Sequence, residues 1–435
     1  MKRKKRRARL SFGTAFMLLL TLLVVLGCAW FMSAILGEER VRHAAQAIEA
    51  LTFAKEEPVQ AYTAAMTDVP SPAQEASLMP SATASPAPTA TPMPEKATIT
   101  IAAAGSVYAP KAILQTVEDG GEADFTPVFA PLGHVLADAD LAIVTLETTT
   151  AGGEKGYDNY NTPPEILDAL RSCGVDLISL GTEHALDMGY EGLAITLQEI
   201  SRRGLSSAGV HVDGQDSSAA VMRIGGVQVA VLAYSYGLSE EGREKTGGDS
   251  LGQLALMDMD TMRRDISAVR AQGANIVIVL PHWGTKNKLA TPETVREAAQ
   301  ELAKAGADVI LGTHPNVAQG VERIAAVRGD GLVYETLVCY SLGSLLTDAR
   351  TEENTAGMAV SLSITYDPVS RRAELGSEQV TPLYIARAKP ADKTVYRIVP
   401  AQDEEALARL DEEERAAAQR AAQIVDEAIG QEDEP

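Results

Sequence analysis

The apolar residues of this chain fall into short continuous runs, each of which stops abruptly at a polar or ionisable residue. The clearest is Ile276-Val277-Ile278-Val279-Leu280-Pro281, which ends at His282-Trp283-Gly284. Its echo, Val309-Ile310-Leu311-Gly312-Thr313, ends at His314-Pro315-Asn316. Runs of this length predict buried strands. Between them, roughly from Thr291 to Lys304, Ala, Glu and Lys follow helical spacing, and Gly306 supplies a stop. Strand, helix, strand predicts a crossover unit whose two strands are parallel and adjacent or nearly so. Parallel strands share their carboxyl ends, so His282 and His314 are expected on one rim, where open parallel sheets bind ligands. Two imidazoles there point to a metal or phosphate site.

The same pattern predicts further elements. Thr98–Gly105 and Ala139–Glu147 read as strands, Pro164–Ser172 as a helix with Pro163 and Pro164 near its start, and Val175–Leu180 as a strand running into Gly181-Thr182-Glu183-His184. Gly192–Arg203 and Met259–Gln272 are expected helices. Val227–Tyr234, Leu337–Ser341 and Ala359–Tyr366 are expected strands. Glu147, Glu183, His184, His282 and His314 all follow strands, which makes them candidates for one shared site. His43, His134 and His211 hold no such position and read as surface residues. Residues 401–435 are rich in Ala, Glu, Arg and Gln at loosely helical spacing, an acidic amphipathic helix or tail that either packs on the domain or extends from it.

The amino-terminal end differs from everything after it. Residues 1–10 carry seven Lys or Arg and no acid, and 11–36 contain no charge. Twenty-six such residues are long enough to cross a bilayer as a helix, and the basic flank places the amino terminus in the cytoplasm and the main domain outside. Two rivals are a cleaved signal peptide and a lipoprotein modified at Cys28 in Val25-Leu26-Gly27-Cys28. The first lacks a clear small-residue cleavage site, and in the second the apolar run continues past the cysteine. Residues 37–55 read as a juxtamembrane helix. Residues 56–96 hold eight prolines among Ala, Thr and Ser, a disordered, semi-stiff linker. A folded domain over 97–400 follows.

Charge and cysteine content exclude some functions. The net charge is −21, and removing the basic start leaves −28 on the rest, which argues against nucleic acid and against a body lying on anionic lipid. Three scattered cysteines make neither a disulfide framework nor a cysteine-rich zinc site.

Six motifs then stand in order: Leu146-Glu147-Thr148, Asn161-Thr162-Pro163-Pro164-Glu165, His184-Ala185-Leu186-Asp187-Met188-Gly189, His282-Trp283-Gly284, Gly312-Thr313-His314-Pro315 and Tyr340-Ser341-Leu342-Gly343. In order and spacing the chain resembles the CapA family of poly-γ-glutamate capsule biosynthesis, over roughly Thr98 to Pro400. The resemblance implies an α/β fold of the calcineurin-like metallophosphatase type, a sandwich of two mixed β-sheets flanked by helices. It also implies a membrane-anchored protein of capsule or cell-envelope polymer assembly, with ligase and export proteins and an anionic polymer as partners. Five positions depart from the family pattern: Ser106 stands for Asp, Thr182 and Glu183 for the two Asn of Asn-Asn-His, Lys286 for Glu and Asn316 for His.

A two-metal phosphoesterase needs enough carboxylates and imidazoles for both ions. Here an Asp and a His are replaced. Glu147, Glu183, His282 and His314 remain, a mixed oxygen and nitrogen set suited to one zinc, manganese or iron ion. Lys286 either repels such a cation or holds an anionic substrate. His184 is the candidate general acid, with Asp187 orienting its ring. The bland alternatives are that His184 and Asp187 pin a loop, that His282 is hydrogen-bonded beneath Trp283, and that His314 sits in a loop stiffened by Pro315. Ser341 lacks a nucleophile elbow and reads as part of a tight turn. The function expected is that of an anchored extracellular scaffold or weakened enzyme. The alternative is an active metal-dependent hydrolase or transferase acting on phosphoester or γ-glutamyl amide groups.

Overall fold

The computed structural model describes residues 95–119, 122–152, 160–211, 218–248, 252–389 and 393–430. The expected membrane span, juxtamembrane helix and nearly all of the proline-rich linker lie outside the described residues. Among the described residues no helix is long and apolar enough to cross a membrane.

The strands are β1 (Ala97–Val107), a two-stranded hairpin of β2 (Glu118–Asp119) and β3 (Glu122–Ala123), β4 (Leu141–Leu146), β5 (Leu177–Ser179), β6 (Ser206–Ala208), β7 (Ala220–Ile224) and β8 (Val227–Ser235). They continue with β9 (Ile276–His282), β10 (Val309–Leu311), β11 (Val321–Val327), β12 (Val333–Cys339), β13 (Ser344–Leu346), β14 (Ala356–Asp367), β15 (Arg372–Ala388) and β16 (Val395–Pro400). An eight-stranded sheet has the order β16-β15-β14-β1-β4-β5-β6, with β13 beside the end of β1. A six-stranded sheet has the order β11-β12-β10-β9-β8-β7. In the first, β1, β4, β5 and β6 are mutually parallel while β14, β15 and β16 alternate. In the second, a parallel centre is edged by antiparallel β7 and β11. The expected sandwich of two mixed sheets flanked by helices is present.

Side-chain alternation along each strand builds the layers. Ile99, Ile101 and Ala103 of β1 face Val227, Val229, Val231, Ile276 and Ile278 of the other sheet in a shared middle core. The opposite side of the first sheet, through Ala102, Ala104, Ala142 and Val144, packs against helices contributing Ile113, Phe129, Ile166, Leu170 and Ile200. The outer face of the second sheet packs Val277, Val279 and Ile310 against Met262, Ile266 and Val269 of one helix and Val295, Ala299 and Leu302 of another. Those two helices, Met259–Ala271 and Glu293–Ala305, are the ones predicted from their periodicity. The carboxyl-terminal helix, Glu412–Gly430, packs on the domain through Ala418, Ala421 and Val425, which join the middle core. Its charged side is solvated and its small apolar side closes the sandwich.

The crossover unit forms as predicted. β9 and β10 are parallel neighbours in the register Val309 to Ile278, and His282 bridges Thr313 just beyond it. The carboxyl ends of β1, β4, β5, β8, β9 and β10 therefore open onto a common rim. Two glycines make the rim possible. A Cβ on Gly312 would overlap the Tyr340 carbonyl and the Trp283 indole, and one on Gly105 would overlap the Gly343 carbonyl. Trp283 donates its indole N–H to that Tyr340 carbonyl at 2.9 Å, so its place in the motif is architectural.

Candidate metal centre

Each predicted site residue is carried to this rim by a strand. Glu147 follows β4, Glu183 and His184 follow β5, His282 ends β9 and His314 follows β10. All five are buried. Glu183 is the hub. Its Oε2 lies 2.5 Å from His282 Nε2, and its Oε1 lies 3.4 Å from His314 Nδ1, 3.5 Å from His184 Nε2 and 3.1 Å from Lys286 Nζ. Tyr236 also reaches Oε1 with its hydroxyl at 3.4 Å. Glu147 Oε1 joins from the other side, 3.6 Å from His282 Nε2. Ligand atoms of Glu183, His282 and His314 lie within 4.8 Å of one another.

The hydrogen bonds that are missing are as informative as the distances. Glu147 Oε1, Glu183 Oε2, His184 Nε2, His282 Nε2 and His314 Nδ1 are all buried without a hydrogen-bond partner. Buried polar atoms are normally paired, and an unpaired one costs about 1–3 kcal/mol. Those of Glu183, His282 and His314 lie close enough together to hold one cation, and Glu147 and His184 stand beside them. The ring orientation of His282 fits that role. Its Nδ1 is 2.8 Å from Thr313 Oγ1, and donation there would leave the Nε2 lone pair facing Glu183 and Glu147. A lone pair and a carboxylate oxygen at 2.5 Å are mutually repulsive unless a proton or a cation is shared between them. Burial pushes the Glu183 carboxyl upward in pKa, but the imidazoles of His282, His314 and His184 around it outweigh burial, and the net shift is strongly downward. The carboxylate is held ionised.

Backbone strain gathers at the same place. Among the described residues five non-glycine residues have positive φ, and four of them, Tyr160, Asn287, His314 and Asn316, surround the centre. His314 at φ 98° aims its ring inward at a conformational cost of order 1–3 kcal/mol. Such strain persists where the surroundings over-determine it.

His184 is held separately. Its Nδ1 is 2.7 Å from Asp187 Oδ2, and Asp187 accepts a second hydrogen bond from the Ser239 hydroxyl. Ser239 in turn caps the helix Glu240–Thr246 by accepting from Gly242 N at 2.8 Å. Tyr160 stacks on the His184 ring at 3.6 Å and 8°, and Tyr108 stacks on Tyr160 at 4.7 Å. Sequence reasoning missed Tyr108, Tyr160, Tyr236 and Ser239. Tyr236 was within reach of the strand-end rule, since it directly follows β8; Tyr160 and Ser239 come from loops whose patterns carry no such signal.

The altered positions lie beside the centre. Ser106 is buried at the end of β1 with an unpartnered hydroxyl. Asn316 supplies its backbone carbonyl to Asn354 Nδ2 at 3.0 Å. Ser341 donates to the Val317 carbonyl and accepts from Gly343 N, the tight turn expected of it.

Comparison with known proteins now bears on this geometry. Residues 100–349 match the family described as bacterial capsule synthesis protein PGA_cap. The chain belongs to that family. The PGA biosynthesis protein CapA of Bacillus subtilis (strain 168) is 26% identical over 238 residues, 54% of this chain and 57% of that protein. The capsule biosynthesis protein CapA of Bacillus anthracis is 27% identical over 200 residues, 44% of this chain and 45% of that protein. The chain thus spans about half the length of these curated relatives. A probable polyglutamine synthesis accessory protein of Mycobacterium tuberculosis is 26% identical over 281 residues, 60% of this chain and 71% of that protein. Among solved structures, a 5'-nucleotidase precursor from Thermus thermophilus is similar with a TM-score of 0.42 and 16% identity, covering 76% of this chain and 59% of that one. The calcineurin-like phosphoesterase YfkN from Bacillus subtilis is similar with a TM-score of 0.40 and 12% identity, covering 77% of this chain and 99% of that one.

Proposed function

We propose that this PGA_cap-family chain is a membrane-anchored, cell-surface protein of poly-γ-glutamate or envelope-polymer assembly, with a reduced metal centre that holds one divalent cation. Its role is that of a scaffold with weak turnover at most. The observation that carries the reading is the convergence of five unpartnered buried atoms, on Glu147, Glu183, His184, His282 and His314, at one strand rim. Glu147, Glu183, His282 and His314 would hold the ion, which would supply Lewis-acid polarisation of a bound phosphoryl or amide oxygen. Ser106 and Asn316 stand where the family pattern has an acid and a histidine, and a second ion then lacks ligands. Anchoring by residues 11–36, an extracellular domain, an anionic polymer and ligase or export proteins as partners all belong to this proposal.

A second reading, an active hydrolase or transferase on phosphoester or γ-glutamyl amide groups, is favoured by the His184–Asp187–Ser239 relay. Asp187 accepts from Nδ1 and fixes the ring, so a protonated His184 presents Nε2–H to the centre as a general acid. Tyr160 lies flat on that ring and excludes water from one face.

Metal analysis of the purified full chain decides between presence and absence of the centre. One equivalent of zinc, manganese or iron is expected in the wild type and none in the His282→Ala His314→Ala double variant. A metal-free wild type whose stability ignores chelators would retire the cation. Phosphodiesterase and γ-glutamyl amidase assays of wild type against Glu147→Ala separate the two readings. A wild-type rate that the substitution abolishes establishes the enzyme, and equal background rates leave the scaffold.

A further inference from the structure

The rim carries a cation of its own. Lys286 extends from the loop after β9, and its Nζ is 3.1 Å from Glu183 Oε1, the oxygen that also faces His314 and His184. We propose that Lys286 is an internal counter-ion competing with a divalent cation for Glu183, so that the centre takes an ion only by expelling the ammonium into the mouth. The proposal rests on the one-cation reading above and adds what sets its affinity.

Three features support it. The first is geometric: an ion bound to Glu183 Oε1 sits about 2 Å from that oxygen, which leaves it within roughly 5 Å of an ammonium that stays in place. Like charges so close in a partly buried site repel strongly. The second is that the ammonium has somewhere to go. The Lys286 side chain is 43% exposed while that of Glu183 is 2% exposed, so a rotamer change carries the charge to water. The backbone beneath it is pinned and would not follow. Asn287 N donates to the Pro315 carbonyl at 2.7 Å, and Asn354 Nδ2 donates to Asn287 Oδ1 at 2.9 Å.

The third feature is charge balance. Among the described residues, Glu147 and Glu183 are the two carboxylates turned to the centre, whereas Asp187 is occupied by His184 and Ser239. One divalent ion neutralises the pair by itself. The Lys286 ammonium lies 3.1 Å from Glu183 Oε1, on an oxygen that an incoming ion would need.

The test is calorimetric titration of the chelator-treated full chain with Zn2+ and Mn2+, comparing wild type, Lys286→Met and Lys288→Met. Lys286→Met should bind at least tenfold more tightly, and Lys288→Met, which makes the same charge change two residues away, should match wild type. In EDTA, Lys286→Met should melt at a lower temperature than wild type, and the order should reverse with excess ion. Equal affinity in wild type and Lys286→Met would overturn the proposal and leave the one-cation reading standing. So would equal tightening by both lysine variants, or weaker binding by Lys286→Met. Failure of every protein to bind either ion would take down the reading and the proposal together.

Discussion

The two rims of the six-stranded sheet treat buried charge in opposite ways. At the amino-terminal rim, Asp308 stands just before β10 and is almost fully satisfied. Its Oδ2 accepts from Arg270 at 2.5 Å and from Val277 N at 2.8 Å, and its Oδ1 accepts from Arg328 at 2.9 Å. The two guanidinium groups then cover the carbonyls of Asn275, Gly306 and Ala307, which lie around the ends of the two outer helices and the starts of β9 and β10. At the carboxyl-terminal rim, about 7 residues further along the strand, imidazoles and carboxylates of similar burial each leave one nitrogen or oxygen without a partner. One arrangement is a clasp and the other is a socket. Both bury charge, so burial alone does not separate structure from function; the gathering of several unpartnered atoms does, since at the clasp Arg328 Nε alone is left over among the described residues named there.

The contrast is sharpest under the same chemical change at each rim. Asp308→Asn should cost about 3–5 kcal/mol in urea unfolding, because two partly buried guanidinium groups lose their buried counter-charge. Glu147→Gln should change stability by less than about 1 kcal/mol, since it removes a buried charge whose Oε1 has no donor. The same Glu147→Gln should weaken divalent-ion binding about 10- to 100-fold by titration. If the two variants unfold alike, the distinction between clasp and socket fails. The mildest change is Thr313→Val, which removes only the group that orients His282 through Nδ1. About tenfold weaker ion binding with near-wild-type stability is expected, and an unchanged affinity would show that packing alone sets the ring.

Much of the site was legible before the fold was known. Buried parallel strands are recognisable as apolar runs, and a ligating residue at the end of such a run is carried to the rim by topology. Glu147, Glu183, His184, His282 and His314 all stand at such ends, with Asp187 three residues after His184. β15, a 17-residue strand, is harder to read because Gly376-Ser377-Glu378-Gln379 and Pro382 interrupt its alternation. The helix Lys111–Val117 and the short strands β6 and β13 are too short to show a period and are held by neighbours more than by propensity. The carboxyl-terminal helix is legible as amphipathic, but alanines make a weak apolar stripe that does not by itself say whether the helix docks on the sandwich.

What the sequence determined by itself was therefore local and topological: which runs are strands, that β9 and β10 are parallel, and which side chains stand at their ends. Periodicity and chain reversal decide those points within a few dozen residues. Only the tertiary structure decided what those side chains do to each other. That Glu183 is the hub, that Tyr160 covers His184, that Ser239 braces Asp187 and that Lys286 turns inward to the carboxylate are all contacts between distant segments. Their energies depend on ångström-scale distance and on the exclusion of water, and neither exists until the two sheets have closed on one another.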